Sequence, residues 1–381
     1  MQTADQPELK QLKKWEQQLK SDSIGLALLG RHYQTMGDTD EAIRILKASL
    51  DGHRVFLVTK QLANLHYDQD DYEAWESTWL DLMRSEGRGM TSSAAAGEVA
   101  WGYTARGMWR DAKPYAETAA EVWSSHGLGI ASDVTEQLGL WDESEHWVKS
   151  QSTSYPSYRG ASWYFWCRRT GRGDLNAARQ LAEKHFGATG TDRSRTACVN
   201  RGVYFLMEGD AKRSLAAYEK ALQFYTSLSC SCMVIRLARE TGDDERAKEV
   251  ITLYREYVAG LESQDPIDLM GLELMNLIES EKLDRVALKK LDSRFAEIAP
   301  VNASMTSFMV GQELLARGHE EISRKYFRQS MLSSQRESAY MTIAGHELSQ
   351  LDGTSRPDDD ELTPADLWQP VKEAANASED Q

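Results

Sequence analysis

The sequence predicts an all-α chain: an α-solenoid of about nine helix–turn–helix units. Three observations predict it. A small residue recurs at Ala42, Ala74, Ala112, Ser144, Ala178, Ser214, Ala247, Ala287 and Ser323. The mean spacing is about 35 residues, the period of stacked helical hairpins. Seven of these positions follow a glycine by five residues, at Gly37, Gly107, Gly139, Gly173, Gly209, Gly242 and Gly318, and four of the glycines precede Asp. Only 8 prolines occur in 381 residues, three of them in the last 25, which leaves the body free to be helical throughout.

The elements follow in order. Leu9, Leu12, Trp15 and Leu19 make an amphipathic stripe, so residues 1–22 are read as an N-terminal capping helix. Residues 23–351 form the repeat array. In its first unit Leu28, Leu29, Tyr33 and Met36 lie on one helical stripe. Gly37-Asp38 ends that helix, because glycine accepts the left-handed conformation. Asp40 or Thr39 can cap the next helix, whose stripe is Ala42, Ile43, Leu46 and Leu50. A small residue twelve positions before the second-helix small residue lets the two helices approach. The pairs are Gly30 with Ala42, Ala100 with Ala112, Ser132 with Ser144, Gly202 with Ser214, and Gly311 with Ser323. Longer spacings place loops at 85–93 and 260–268, and Ser/Gly/Thr-rich turns at 151–160 and 187–195. Residues 337–351 are read as the closing cap. The last segment, 352–381, holds nine acidic residues against Arg356 and Lys372, and three prolines. It has the composition of a disordered acidic tail.

At this point the sequence resembles the tetratricopeptide repeat (TPR) family. The pattern is carried by Gly30, Tyr33, Ala42, Leu46 and Ser49, by Ala100, Tyr103, Ala112, Ala116 and Ala119, and by Gly202, Phe205, Ser214, Tyr218 and Ala221. It extends over nearly the whole chain. The second unit departs by turning at Asp70-Asp71, the eighth at Glu281-Lys282, and the fifth by placing bulky Trp166 where a small residue is expected. The resemblance implies a right-handed superhelix with terminal capping helices, whose first helices line a concave groove for a protein or peptide partner. Carried onto this chain, the groove positions are Arg31, Thr59, Trp101, Asp133, Trp163, Cys167, Arg236, Asn276, Phe308 and Gln312, followed by Gln34, His66, Glu136, Arg239 and Glu279. Trp101 and Trp163 are either groove anchors or packing residues. Arg236 and Arg239 either hold a partner carboxylate or pair with Glu240 on a solvated face. The Lys/Asn carboxylate clamp of some family members is absent: its positions hold Ala27, Arg31, Thr59, Ala63, Gly97 and Trp101.

Chemistry finds no residue set in this sequence. His346-Glu347 is followed by Gln350 where a zinc helix needs its second His. Cys230 and Cys232 have the wrong spacing for a zinc knuckle and are read as small interface residues. Gly127-Leu128-Gly129 follows no strand and opens a helix, and Arg172-Gly173-Asp174 is the repeat's own turn. Asn302-Ala303-Ser304 and Asn376-Ala377-Ser378 match a glycosylation triplet that arises often by chance. No cofactor or metal is expected. A net charge of −15 repels a phosphate backbone and disfavours nucleic acid. No run of 18 apolar residues exists to span a membrane, and no leader is visible, so the expected compartment is the cytoplasm. The four cysteines fit a reducing setting. The expected function is a non-catalytic scaffold or adaptor. The alternatives are a ligand- or peptide-responsive regulatory sensor and, behind it, an enzyme subunit. The acidic tail, with Leu367-Trp368 after an acidic run, is either a solubilising segment or a dock for a basic partner.

Overall fold

The computed structural model describes residues 6–51, 54–187, 194–280, 285–295, 300–331, 343–345, 347–348 and 351. The His346 and Gln350 positions, the Glu281-Lys282 turn and the acidic tail lie outside the described residues. Among those residues the chain forms twenty helices and no strand, in two compact units, Met1–Leu138 and Gly139–Gln381.

The first unit comprises α1 (Gln6–Leu19), α2 (Ser23–Thr35), α3 (Thr39–Leu50), α4 (Phe56–Asp68), α5 (Tyr72–Glu86), α6 (Met90–Ala105), α7 (Trp109–Ala120) and α8 (Ser125–Gln137). Neighbours in sequence pack as hairpins, α2 on α3, α4 on α5 and α6 on α7. The turn between α2 and α3 shows how the sequence builds each hairpin. Gly37 adopts φ +79°, a conformation that costs other residues about 1–2 kcal/mol. The Asp38 carboxylate then accepts from the Glu41 backbone N–H, satisfying a donor that the new helix leaves free. The cap is therefore Asp38, one residue before Thr39 and two before Asp40, the two expected caps. Asp174, Asp210 and Asp243 accept from Ala177, Arg213 and Arg246 in the same way.

The second hairpin keeps the device without glycine. Asp70 takes φ +58° and Asp71 caps α5 through the Ala74 N–H. Counting four residues from the cap, as from Asp38 to Ala42, reaches Trp75, which is 3% exposed, and not Ala74. This hairpin therefore runs one residue later than the small-residue spacing predicts. The indole that replaces the small residue is admitted by Gly102 of α6, where a Cβ would lie 2.1 Å from the Trp75 ring. The Arg106 guanidinium closes the cluster, stacked over Tyr72, Trp75 and Tyr103 at 4.3, 5.2 and 4.8 Å.

The second unit comprises α9 (Trp141–Ser154), α10 (Pro156–Arg159), α11 (Ser162–Thr170), α12 (Leu175–Gly187), α13 (Arg195–Met207), α14 (Ala211–Leu222), α15 (Leu228–Glu240), α16 (Asp244–Ala259), α17 (Pro266–Glu279), α18 (Arg285–Phe295), α19 (Pro300–Ala316) and α20 (Glu320–Met331). One contiguous apolar cluster runs through it from Val148 to Leu348. The first unit has smaller clusters, one around Leu12, Leu29, Tyr33, Ile45 and Leu46 and another around Trp75, Trp79, Leu82 and Val99. Leu12 is the residue by which α1 covers its neighbour, whereas Trp15 of the same stripe is 44% exposed.

Candidate functional site

In the first unit the helices that open each hairpin, α2, α4 and α6, lie side by side. The Gln61 amide donates to Gln34 Oε1 at 3.0 Å, and Lys60 pairs with Glu98. The Tyr67 and Trp101 rings sit 6.1 Å apart. Helical period sets which residues each helix leaves outward. On α2, Leu26, Leu29, Gly30 and Tyr33 are buried, and Ile24, Leu28 and Arg31 face out. Leu28 is thus outside the core stripe that the sequence assigns it. On α4, Thr59, Leu62, Ala63 and His66 are buried, and Leu57, Asn64 and Asp68 face out. On α6, Trp101 is 49% exposed.

Ile24, Leu28, Leu57 and Trp101 are thus exposed apolar groups on three adjacent helices. Arg31 is exposed on α2 one turn from Leu28 and makes no ion pair among the described residues. Thr59 and His66 face inward because the second hairpin is shifted by one residue. One position on, Lys60 is partly exposed and pairs with Glu98, while Tyr67 is partly buried against Trp75 and Trp101. Sequence reasoning missed Ile24, Leu28 and Leu57. The signal for Leu57 was available in the Asp70-Asp71 turn, which fixes the register.

Burial has a consequence at His66. It is 3% exposed, and neither ring nitrogen has a hydrogen-bond partner among the described residues. Burial, with a smaller repulsion from Lys47, holds its pKa below the ordinary 6.5, and Asp71 only partly opposes this. The folded state therefore binds fewer protons than the unfolded state around pH 6. Stability present above about pH 6.5 is lost as the pH falls toward the depressed value. Denaturant midpoints between pH 7.5 and 5.5 should fall for the native chain and fall less for His66→Leu.

The matching helices of the second unit are arranged differently. There α15 rests directly against α19. Met233 on α15 and Phe308 and Met309 on α19 are buried in one apolar cluster. The charged residues near it are engaged within the chain. Arg236 meets Glu347 at 3.4 Å and Glu240 at 4.0 Å. Arg239 meets Glu313 at 3.4 Å and donates to the Ile278 carbonyl at 3.1 Å. The two arginines serve different carboxylates of their own chain. Gln312 is 7% exposed and its amide nitrogen has no partner among the described residues. Asn276 is exposed and accepts from Arg255. Burial raises the Glu313 pKa above the ordinary 4.5 despite Arg317 and Arg239. Folding therefore favours the protonated carboxyl more than the unfolded chain does, and that contribution, complete below about pH 4.5, is lost as the pH rises through the raised value. Glu313→Gln mimics the protonated form, so its stability relative to the native chain should improve from pH 4 to pH 7 in urea titrations.

At the start of the second unit, Trp163 is 4% exposed, and its indole donates to Glu145 at 3.0 Å with Lys149 over the ring. Cys167 is buried, and burial pushes its thiol up to about 12, so it stays protonated at neutral pH. Burial likewise raises the Cys232 thiol. In the first unit Asp133 is half-buried on α8 and Glu136 is buried. Among the described residues no group of three His, Cys, Asp or Glu side chains is placed to hold a metal, and no helix is long and apolar enough to cross a membrane.

The hairpins share one closure. The Ser214 hydroxyl donates to the Gly202 carbonyl at 2.8 Å, and Ser323 donates to Gly311 at 2.7 Å, each across twelve residues. Four residues past the small residue, Tyr218, Phe327 and, in the first hairpin, Leu46 fill the space over Gly202, Gly311 and Gly30, at 2.6 to 2.8 Å from where a Cβ would stand. The fold is an all-α array of helical hairpins. These three hairpins thus have a small residue for approach and a bulky group to seal the gap. Ser214→Ala should cost about 1 kcal/mol, measurable as a shift in urea midpoint, since the buried Gly202 carbonyl loses a donor. Gly202→Leu should cost more, because Tyr218 has nowhere to move.

No family model matches this sequence, and no curated protein matches it. Solved structures do. A TPR protein from Parabacteroides merdae is 13% identical and aligns over 87% of this chain and 99% of its own, with a TM-score of 0.37. The apo form of the quorum sensor NprR from B. thuringiensis is 13% identical over 83% of this chain and 98% of its own, with a TM-score of 0.37. The human IFIT1 dimer with PPP-AAAA is 14% identical over 85% of each chain, with a TM-score of 0.38. At these TM-scores nothing of those proteins' ligands passes to this chain.

Proposed function

We propose that this protein is a non-catalytic scaffold of the TPR type. It binds a peptide or helical segment of a protein partner along the first-helix face of its first unit. The observation that carries this reading is the exposure of Ile24, Leu28, Leu57 and Trp101 on three neighbouring helices, one of which also presents Arg31, without an ion pair among the described residues. Isolated exposed apolar residues are ordinary, but several on adjacent helices with an arginine among them have the make-up of an interface. In the second unit the corresponding positions are engaged in packing and ion pairs, which makes them poor candidates for direct contact. The partner's complementary segment carries apolar side chains for these groups and a carboxylate for Arg31. The cytoplasm is the compartment that goes with this role.

Affinity capture with the full chain as bait, followed by binding measurements on the captured partner, tests it. Trp101→Ala should weaken binding by about 2 kcal/mol, roughly thirtyfold, and Arg31→Glu should weaken it further by placing like charges together. Arg236→Glu, which breaks a pair with Glu347 inside the second unit, should leave affinity unchanged while lowering stability. Unchanged affinity in Trp101→Ala, with loss in Arg236→Glu, would reverse the assignment of the two units. X-ray scattering separates the sensor alternative: a sensor changes its radius of gyration on binding, and a rigid adaptor does not.

A further inference from the structure

Two helices of the second unit, α18 and α20, carry charge of the opposite sign to the chain. Seven basic residues on them stand against three acidic ones, while the whole chain has a net charge of −15. The two helices pack together. The Asp292 carboxylate accepts from the Tyr326 hydroxyl at 2.7 Å and pairs with Lys325 at 3.2 Å, and the Phe295 and Tyr326 rings lie 6.1 Å apart. Helical period turns one side of each helix away from the core. On α18 that side presents Val286, Lys289 and Lys290, and on α20 it presents Lys325 and Arg328, all exposed. Lys325 is taken by Asp292, and Arg324 by Glu320 and Glu321. Lys289, Lys290 and Arg328 make no ion pair among the described residues. Like charges held close on one face favour an occupant of opposite sign.

The same chain supplies one. Leu351 is the residue from which the acidic segment leads on, and its carbonyl accepts from Arg324 of α20 at 2.8 Å. Residues 352–381 hold nine acidic residues against two basic ones. Asp358, Asp359, Asp360 and Glu361 follow Leu351 by seven to ten residues. At about 3.3 Å per residue they reach roughly 20–30 Å from it. The eleven residues of α18 span about 16 Å, and packed helices lie about 10 Å apart, so the unpaired cations of both helices are within range. A single exposed ion pair is weak. Several on one tether are favoured, because a short flexible connection sets an effective concentration of about 1 mM. Val286, 63% exposed beside these cations, offers an apolar seat to Leu362, the residue after the acidic run. We propose that the acidic segment folds back onto the α18–α20 face of its own chain. This contact is independent of the partner-binding face of the first unit.

Carbodiimide cross-linking of the full chain tests this, because it joins a carboxylate to a lysine amine only where the two touch. Mass spectrometry of the digested product should find the run 358–361 joined to Lys289, Lys290 or Lys325 at least fivefold more often than to lysines of the first unit. The yield should fall at least fivefold in 0.5 M sodium chloride, which screens exposed charges. It should fall at least threefold in Arg328→Glu, whose exposed side chain can be exchanged with helicity by circular dichroism unchanged. No cross-link from the run, cross-links spread evenly over the lysines of both units, or a yield that neither salt nor Arg328→Glu lowers overturns the proposal. Mixing unlabelled and isotope-labelled chains identifies the donor. Cross-links confined to light–light and heavy–heavy pairs support the fold-back. Light–heavy pairs make the occupant the acidic segment of a second copy and overturn it.

Discussion

Gly127→Ala destabilises the first unit by about 3 kcal/mol, although it adds a single methyl group to the chain. The reason is where the methyl would stand. Gly127 lies in the first turn of α8, and a Cβ there would be 2.0 Å from the Ala119 carbonyl oxygen and 2.5 Å from its carbon, both on α7. Ala119, Ala120 and Leu128 are all essentially buried, so neither helix can tilt away without opening apolar surface to water. A flexible side chain could rotate aside, but a helical backbone cannot. Thermal unfolding followed by circular dichroism should show a melting temperature lower by roughly 6–12 °C. A change under 2 °C would mean that α7 and α8 are not in van der Waals contact at this point. Sequence reasoning sees Gly127 only as a false dinucleotide motif and the opening of a helix. The close approach that requires glycine is invisible until α7 is placed.

Trp166→Ala removes the largest departure from the repeat pattern and should cost 3–5 kcal/mol or about that range. A small residue is expected at this position, so alanine restores the consensus, and a reading from pattern alone predicts stabilisation. The structure predicts the reverse. Trp166 is 1% exposed, and its indole nitrogen donates to the Ser144 hydroxyl at 2.9 Å, across the α9–α11 contact. Its ring also touches the Gly173 turn, at 3.0 Å from where a Cβ of that glycine would stand. Alanine would leave an indole-sized void that α11, only nine residues long, is too short to close by sliding. Urea denaturation of native and variant chains decides between the two expectations. A variant as stable as the native chain would mean that the void collapses.

These two sites show how far the sequence reaches. The turn chemistry is local: a glycine able to take positive φ and an aspartate able to cap are written side by side, so Gly37-Asp38, Gly209-Asp210 and Gly242-Asp243 place helix boundaries without knowledge of the rest of the chain. The twelve-residue pairing of Gly202 with Ser214 is also legible, because one hairpin contains both partners. Legibility fails where a residue answers to a different hairpin. Trp75 can stand where alanine is expected because Gly102, in the next hairpin, makes room for it. Every outward position of α4 then moves by one, burying Thr59 and His66 and exposing Leu57.

The candidate site divides in the same way. Arg31 and Trp101, which the family resemblance offers as groove positions, are both exposed. Periodicity cannot tell whether a first-helix residue meets solvent or another first helix. In the second unit α15 meets α19, so Phe308 and Gln312 are buried and Arg236 is held by Glu347, more than a hundred residues away. By itself the sequence determined the helices, their turns and the hairpin repeat, since those depend on backbone propensity and contacts within about 35 residues. The tertiary structure decided which outward rows stay open, because that depends on how hairpins distant in sequence close against one another.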